Sequence, residues 1–291
     1  ALAMGNTLSI LPVFDPGKFL SLVQEAAIEH ALLVPTMIKM VLDYPDFSKF
    51  DISSFKYIIY GASPIDDALL RQAREQLPGV NFMQVYGQTE GVPATFMFDA
   101  DHSEAGFASG RTRSAGTPAM GVDIKIINDN GESLPSGEIG EICIRSPSLM
   151  KGYLNMPEQT ASALQGGWLH TGDAGYLSED QFLYIVDRIK DMIVSGGENV
   201  YSAEVENALA RHDAVQNCAV VGLPHEKWGE VVHVDVVLSP GESISEEALV
   251  EHCRQYIASY KVPKSIAFVE AIPLTPVGKV DKVTIRAKYS A

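Results

Sequence analysis

From Asp15 to about Tyr86 the sequence alternates stretches of helical periodicity with short apolar runs, the pattern of a parallel sheet covered by helices. Asp15 is placed to cap a helix with Pro16 at its first position and Phe19, Leu20, Val23 and Ala27 on one face. The pattern then predicts a buried strand over 31–34, a helix over 35–42, a strand over 55–60, a helix over 64–77 that opens at Pro64, and a strand over 82–86 ending at Gly87. Residues 7–13 read as a strand preceding this unit, so the chain is expected to begin inside a domain.

After Arg113 the texture changes to short strands divided by Gly, Pro and Asn-Gly turns, such as 122–127, the Asp129-Asn130-Gly131 turn and 140–145. An antiparallel, barrel-like subdomain over 114–189 follows from that spacing. From about Lys190 a third texture predicts a small α+β domain: a helix over 203–210, strands over 214–222 and 231–238, a helix over 245–257 and a last strand near Phe268. The expected fold class is therefore α/β: a helix-covered sheet over 1–113 and the barrel-like part over 114–189 form one domain. A small α+β domain over 190–291 completes the chain, with the boundary near 188–191.

The 291 residues suffice for about two domains on the usual ~100–200 residues each. With 22 Lys and Arg against 37 Asp and Glu, dispersed and not gathered in a tail, the net charge of −15 argues against a nucleic-acid partner. Cys143, Cys218 and Cys253 lack metal or redox spacing and read as buried thiols of an intracellular, cytoplasmic protein. No apolar run approaches the ~20 residues of a membrane span, and residues 1–5 have no basic region of a signal peptide.

Several segments could carry chemistry. Tyr86-Gly87-Gln88-Thr89-Glu90 follows a strand whose carboxyl end is where ligands gather in open α/β sheets. Tyr86 offers a flat face for a base, Gly87 a close backbone approach, Thr89 a hydroxyl for phosphate and Glu90 a hard oxygen for Mg2+; a polar surface turn is the competing reading. Gly61-Ala62-Ser63-Pro64 lies on the same sheet edge and leaves room for a planar ring, or is an ordinary strand-to-helix turn. Ser178-Glu179-Asp180-Gln181 is a turn midway between Thr171-Gly172-Asp173 and Asp187-Arg188. A hairpin there, with paired residue numbers summing to about 360, sets Asp173 opposite Asp187, so that a carboxylate and a guanidinium could converge on adjacent hydroxyls of a ribose. The outcome is either a ribose clamp or a cross-strand salt bridge contributing less than ~1 kcal/mol, and the residues alone favour the bridge. Ser195-Gly196-Gly197-Glu198-Asn199 is a ligand-approaching glycine loop or a plain hairpin turn, and Lys279, in a Pro- and Gly-stiffened loop, is a transition-state cation or a solvated lysine.

Taken in order, these segments resemble the adenylate-forming superfamily, which includes acyl-CoA synthetases, firefly luciferase and the adenylation domains of peptide synthetases. Gly152-Tyr153-Leu154-Asn155, Trp168-Leu169-His170-Thr171-Gly172-Asp173, residues 187–191 and Tyr260-Lys261-Val262-Pro263 add to the match, which runs from Thr7 to Lys282. The resemblance implies that Gly61, Ala62, Gln84 and Tyr86 line an adenine slot, with Ser63 and Gly87 also among the cofactor-binding residues. It implies that Thr89 contacts phosphate, Glu90 helps bind Mg2+, and Asp173 and Arg188 hold the ribose, which reverses the preference for a bridge. It further implies that Lys190 is the hinge of a rotating C-terminal domain, that Gly196 and Gly197 line the path of the CoA arm, and that Lys279 stabilises adenylate formation.

The implied reaction is attack of a carboxylate on the α-phosphate of ATP, giving an acyl-adenylate and pyrophosphate, then transfer of the acyl group to CoA. ATP, Mg2+ and CoA are the implied cofactors. The first sixty residues contain nothing like the family's Ser/Thr/Gly-rich phosphate loop. The chain is therefore expected to be a remnant of the larger sheet domain plus the C-terminal domain, inactive by itself. Residues 195–201 and Trp228-Gly229-Glu230 look more like acyl-CoA synthetases than peptide-synthetase domains. The absence of a diagnostic charge near 87–93 points to an apolar acid of medium or long chain. An acyl-AMP ligase loading a carrier protein is the alternative, with a non-catalytic nucleotide-binding module and luciferase-like oxidation further off. The oligomeric state stays open.

Overall fold

In the computed structural model, which describes residues 5–275 and 280–289, Asp15 Oδ1 accepts the Lys18 amide at 2.8 Å and Pro16 opens helix α1 (Pro16–Ala26). Strand β1 (His30–Leu33), helix α2 (Pro35–Leu42), strand β2 (Tyr57–Gly61), helix α3 (Asp67–Gln76) and strand β3 (Asn81–Gln88) follow, and β1, β2 and β3 pair in parallel. Strand β4 (Gly91–Met97) turns back antiparallel to β3; after helix α4 (Glu104–Ser109), strand β5 (Thr117–Pro118) pairs antiparallel to β4. Leu20, Val23, Ile38, Ile58, Tyr60, Leu70 and Phe82 lie in one buried cluster, so the apolar stripes of α1, α2 and α3 close over one face of the sheet. Each such side chain stabilises by roughly 1.5–3 kcal/mol, which fixes the strand ends that carry the polar turns.

Strands β6 (Asp123–Ile127) and β7 (Gly140–Arg145), helix α5 (Pro157–Ala163), and strands β8 (Leu169–Leu177) and β9 (Leu183–Arg188) build a second sheet in the order β6-β7-β8-β9. Ile126, Ile142, Ile144, Leu169 and Leu183 form its buried cluster. The turn between β8 and β9 closes with Ser178 N donating to Phe182 O at 2.9 Å, the pairing expected of a hairpin centred there.

By contacts the chain splits into two compact units, residues 1–171 with 176–185 and residues 172–175 with 186–291. In the second, the hairpin of β10 (Ile193–Ser195) and β11 (Glu198–Val200) leads to helix α6 (Ser202–Leu209), and strands β12 (Val215–His225) and β13 (Gly229–Leu238) form a long antiparallel pair. Helix α7 (Glu246–Arg254) precedes β14 (Ser265–Phe268), which runs parallel to β13, and helix α8 (Lys282–Tyr289) follows. Alternation along β12 and β13 sends Val220, Val232, Val234 and Val236 to one face with Leu209 and Leu249 of α6 and α7. Ala219 and Val221 go to the other face, against Ile285 of α8 and Ile272 of the segment before it.

The structure departs from the sequence reading in several places. Residues 7–13 are not a strand: Leu8, Ile10 and Val13 are exposed, and an alternating run without a partner ladder stays irregular. The strand expected to be buried over 31–34 is the edge strand β1, with Leu32 76% exposed. Helix α3 starts after Asp66, whose Oδ1 accepts the Leu69 amide at 2.7 Å, so the cap outcompetes Pro64 as the opening. Ala27 is not on the buried face of α1; it is the left-handed C-cap, with φ 48°. Helix α8 had no counterpart in the sequence reading. Cys143 and Cys253 are buried, whereas Cys218 is partly exposed.

Candidate functional site

Gly61 ends β2 in register with Val85 of β3, so Gly61-Ala62-Ser63 and Tyr86-Gly87 leave the same edge of the parallel sheet. A Cβ on Gly61 would lie 2.2 Å from the Val85 carbonyl oxygen, which makes glycine obligatory for this approach of the two strands. Ala62 sits at φ 67°, a left-handed conformation that costs a non-glycine residue roughly 1–2 kcal/mol. Such a conformation, held at the carboxyl ends of parallel strands, is the kind of strain that clusters at ligand sites.

The segment 86–90 is more ordered than a loop. Strand β3 continues to Gln88, the pairing with β4 shifts register between Tyr86 and Gln88, and Thr89-Glu90 form the two-residue turn before Gly91. The irregularity at Gly87 re-aims the side chains that follow it. Gln88 Nε2 donates to Thr171 O at 2.7 Å, and Thr171 Oγ1 donates to Ile142 O at 2.7 Å, tying the hairpin to β7 and β8. Thr89 is exposed at the tip.

Glu90 is held at both ends. Its carbonyl accepts the Met150 amide at 2.7 Å, and its Oε1 accepts the Tyr153 hydroxyl at 2.8 Å. Donating to that carboxylate, and to a lesser degree burial, raises the Tyr153 pKa. The sequence reading placed Tyr153 in a family segment but assigned it no role; 63 residues separate it from Glu90, and only the pairing of distant segments brings them together. A carboxylate fixed on one oxygen, on a partly exposed turn, fits Mg2+, which takes one or two carboxylates and keeps its remaining positions for water and phosphate.

Gln84 is turned away from this edge. It is 8% exposed, and its Oε1 lies 3.4 Å from the Tyr60 hydroxyl, which lies 2.7 Å from His102 Nε2. The Phe98 carbonyl only accepts, so at 2.8 Å from His102 Nδ1 it places the imidazole proton there and leaves Nε2 to accept from Tyr60. Burial lowers the His102 pKa and raises that of Tyr60, so this chain of polar groups is neutral and braces the strands under the edge.

In the second unit Arg188 Nε meets Asp173 Oδ1 at 2.9 Å, with the aspartate side chain 6% exposed and the arginine 48% exposed. This is the ion pair that the residues alone favoured. The neighbouring Asp187 instead accepts the backbone N and Oγ of Ser202 at 2.5 and 2.7 Å, and so caps α6 from a distance. Lys190 lies in a 3-10 turn, Ile189–Asp191, and is exposed; the adjoining Asp191 pairs with Arg286 at 3.0 Å. Gly196 and Gly197, at φ 64° and 86°, are the exposed turn of the β10-β11 hairpin, where a Cβ on Gly196 would press on the Trp228 ring at 2.9 Å. Lys279 lies outside the described residues. Among those described, no helix is long and apolar enough to cross a membrane.

Residues 1–154 match the AMP-binding enzyme family and residues 204–279 match the AMP-binding enzyme C-terminal domain. A feruloyl-CoA synthase of Amycolatopsis sp is 38% identical over 288 residues, 99% of this chain and 57% of its own. A medium/long-chain-fatty-acid–CoA ligase of Mycobacterium tuberculosis is 39% identical over 293 residues, 98% of this chain and 50% of its own. The structure of an amide bond synthetase from Marinactinospora thermotolerans superimposes with a TM-score of 0.88 at 35% identity, covering 97% of this chain and 56% of that one. The chain thus spans about half the length of the curated relatives it matches. Two family matches that together cover most of the chain, a similar fold and the ordered signature segments lead to one assignment: the chain belongs to the AMP-binding enzyme family, whose members here are adenylate-forming acid ligases.

Proposed function

We propose that the protein carrying this chain uses ATP to activate an organic carboxylic acid as its acyl-adenylate and then transfers the acyl group to CoA. The observation that carries this reading is the β3-β4 turn, where Tyr153 holds the Glu90 carboxylate beside the exposed Thr89 hydroxyl, on the sheet edge that also carries Gly61 and Ala62. In this reading the edge accepts the adenine, with Ser63 and Gly87 at its rim and the Tyr86 ring as its flat wall. Thr89 donates to a phosphate oxygen. Glu90 supplies one carboxylate to Mg2+, whose charge offsets that of the phosphates when it is bound. Asp173, oriented by Arg188, accepts from the ribose hydroxyls. Gln84 contributes by bracing the strand from beneath.

The turn at Gly196 and Gly197, exposed above the Trp228 ring, is proposed to pass the arm of CoA, and the Ile189–Asp191 turn with Lys190 to serve as the pivot between the two half-reactions. The acid is proposed to be apolar, of medium or long chain. Similarity to a feruloyl-CoA synthase supports an aromatic acid as the second reading. In the full-length protein, carboxylate-dependent exchange of pyrophosphate into ATP tests the first step. Lys279→Ala should abolish most of that exchange yet spare thioester formation from supplied acyl-adenylate; equal loss of both would contradict the reading.

A further inference from the structure

Three side chains of different donor chemistry meet on β7 and β8, outside the turns considered so far. Glu141 and Cys143 are two residues apart on β7 and therefore face the same side of the sheet, and His170 comes from β8. His170 Nδ1 lies 2.9 Å from Glu141 Oε2 and 3.7 Å from Cys143 Sγ, and the three donor atoms all lie within 4.8 Å of one another. Around a tetrahedral ion with the usual Zn–S and Zn–N or Zn–O bond lengths, sulfur and nitrogen would stand ~3.6 Å apart and nitrogen and oxygen ~3.4 Å apart. The sulfur-nitrogen edge is already at that spacing. The oxygen has to retreat by ~0.5 Å, within reach of a rotation of the glutamate side chain.

We propose that Glu141, Cys143 and His170 form a three-ligand site for a thiophilic divalent transition metal of the Zn2+ type. One thiolate, one imidazole and one carboxylate do not suit Mg2+ or Ca2+, which need several oxygen ligands. The sulfur is buried, while the Glu141 and His170 side chains are each 22% exposed, so the fourth position opens on the solvent side, where water can fill it. Binding replaces the S–H bond of Cys143 with a metal–sulfur bond and releases one proton to solvent. The His170 proton moves from Nδ1 to Nε2, and Nδ1 coordinates. The thiolate and carboxylate charges balance the ion. Lys125 of β6 is in register with Cys143, and its ammonium lies 4.5 Å from the centre of the Trp168 ring.

The test is titration of the metal-free 291-residue chain with Co2+, followed in the near ultraviolet and visible. The site predicts one equivalent bound, with a thiolate-to-cobalt charge-transfer band, visible bands of four-coordinate cobalt, and displacement of both by Zn2+ with release of no further proton. Cys143→Ser should remove the charge-transfer band and weaken binding at least ~100-fold, beyond the 10–100-fold typical of losing an outer partner. Cys218→Ser and Cys253→Ser should leave the band unchanged. No band in the wild-type chain, or a band that survives Cys143→Ser, would overturn the proposal. Should the serine variant fail to fold, His170→Gln serves instead, and an unchanged cobalt spectrum in it would be equally fatal.

Discussion

Replacing Asp187 with alanine tests whether a residue inside a nucleotide-associated segment is there to build the fold. The Asp187 carboxylate accepts the Ser202 amide at 2.5 Å, the Ser202 hydroxyl at 2.7 Å and the Arg188 amide at 2.7 Å. Ser202 is fully buried at the first turn of α6, and Tyr201 at the N-cap makes no side-chain cap bond, so Asp187 joins Glu204 of the first turn as an anion at that helix terminus and is the one bonded to Ser202. The bond to the Arg188 amide is exposed and counts for little. The two bonds to Ser202 are charge-assisted, each contributing about 1.5 kcal/mol at the low end of their range. Lys282 Nζ donates to Ser202 Oγ, so that oxygen keeps a partner in the variant, while the hydroxyl and amide hydrogens of Ser202 lose their acceptor. Asp187→Ala should therefore destabilise the second unit by about 3 kcal/mol, and Asp187→Asn by about half that. The chain has two tryptophans, Trp168 in the first unit and Trp228 in the second. Urea unfolding read from Trp228 in a Trp168→Phe background reports the relevant transition. A loss below about 1 kcal/mol for the alanine variant would refute the capping argument.

Other substitutions and conditions give equally definite outcomes. Gly61→Ala should cost about 2–3 kcal/mol in urea unfolding, because its Cβ meets the Val85 carbonyl at 2.2 Å and only separation of β2 from β3 relieves it. Ala62→Gly, one residue on, should be near neutral, since relief of the left-handed strain offsets the added backbone entropy. Burial lowers the His233 pKa below its ordinary 6.5 despite the pull of Asp235, and that of His102 shifts the same way for the same reason. Both are neutral in the fold, so the unfolded chain binds more protons below pH 6.5, and stability is complete above that value and falls as the pH drops through it. The thermal midpoint should fall between about pH 7 and pH 5.5, less so in His233→Gln, and a flat midpoint would contradict the assignment. The 291-residue chain alone should show no pyrophosphate exchange above background.

Local signals were legible wherever one residue decides the structure. Asp15 with Pro16 starts α1, and the alternation of β12 and β13 sorts two valine-rich faces. Neither signal depends on distant chain. Residues 7–13 have the alternation of a strand but no paired strand among the described residues, and a single segment cannot show whether a ladder awaits it. Gln84 sits in a signature segment, yet its burial against Tyr60 follows from the cross-strand register of β2 and β3. The Tyr153 contact to Glu90, the Asp187 cap on Ser202 and the meeting of His170 with Glu141 and Cys143 are long-range in the same sense. Helix α8 was hidden because its one fully buried side chain, Ile285, gives too faint a periodic signal.

The central claim is that this chain carries adenylate-recognising surface, and calorimetric titration with a non-hydrolysable acyl-adenylate analogue tests it most directly. The account predicts saturable binding by the 291-residue chain, weakened by Asp173→Ala and by Gly61→Ala at temperatures where both variants remain folded. Absence of any binding heat at ligand concentrations well above those that saturate the full-length protein would contradict it.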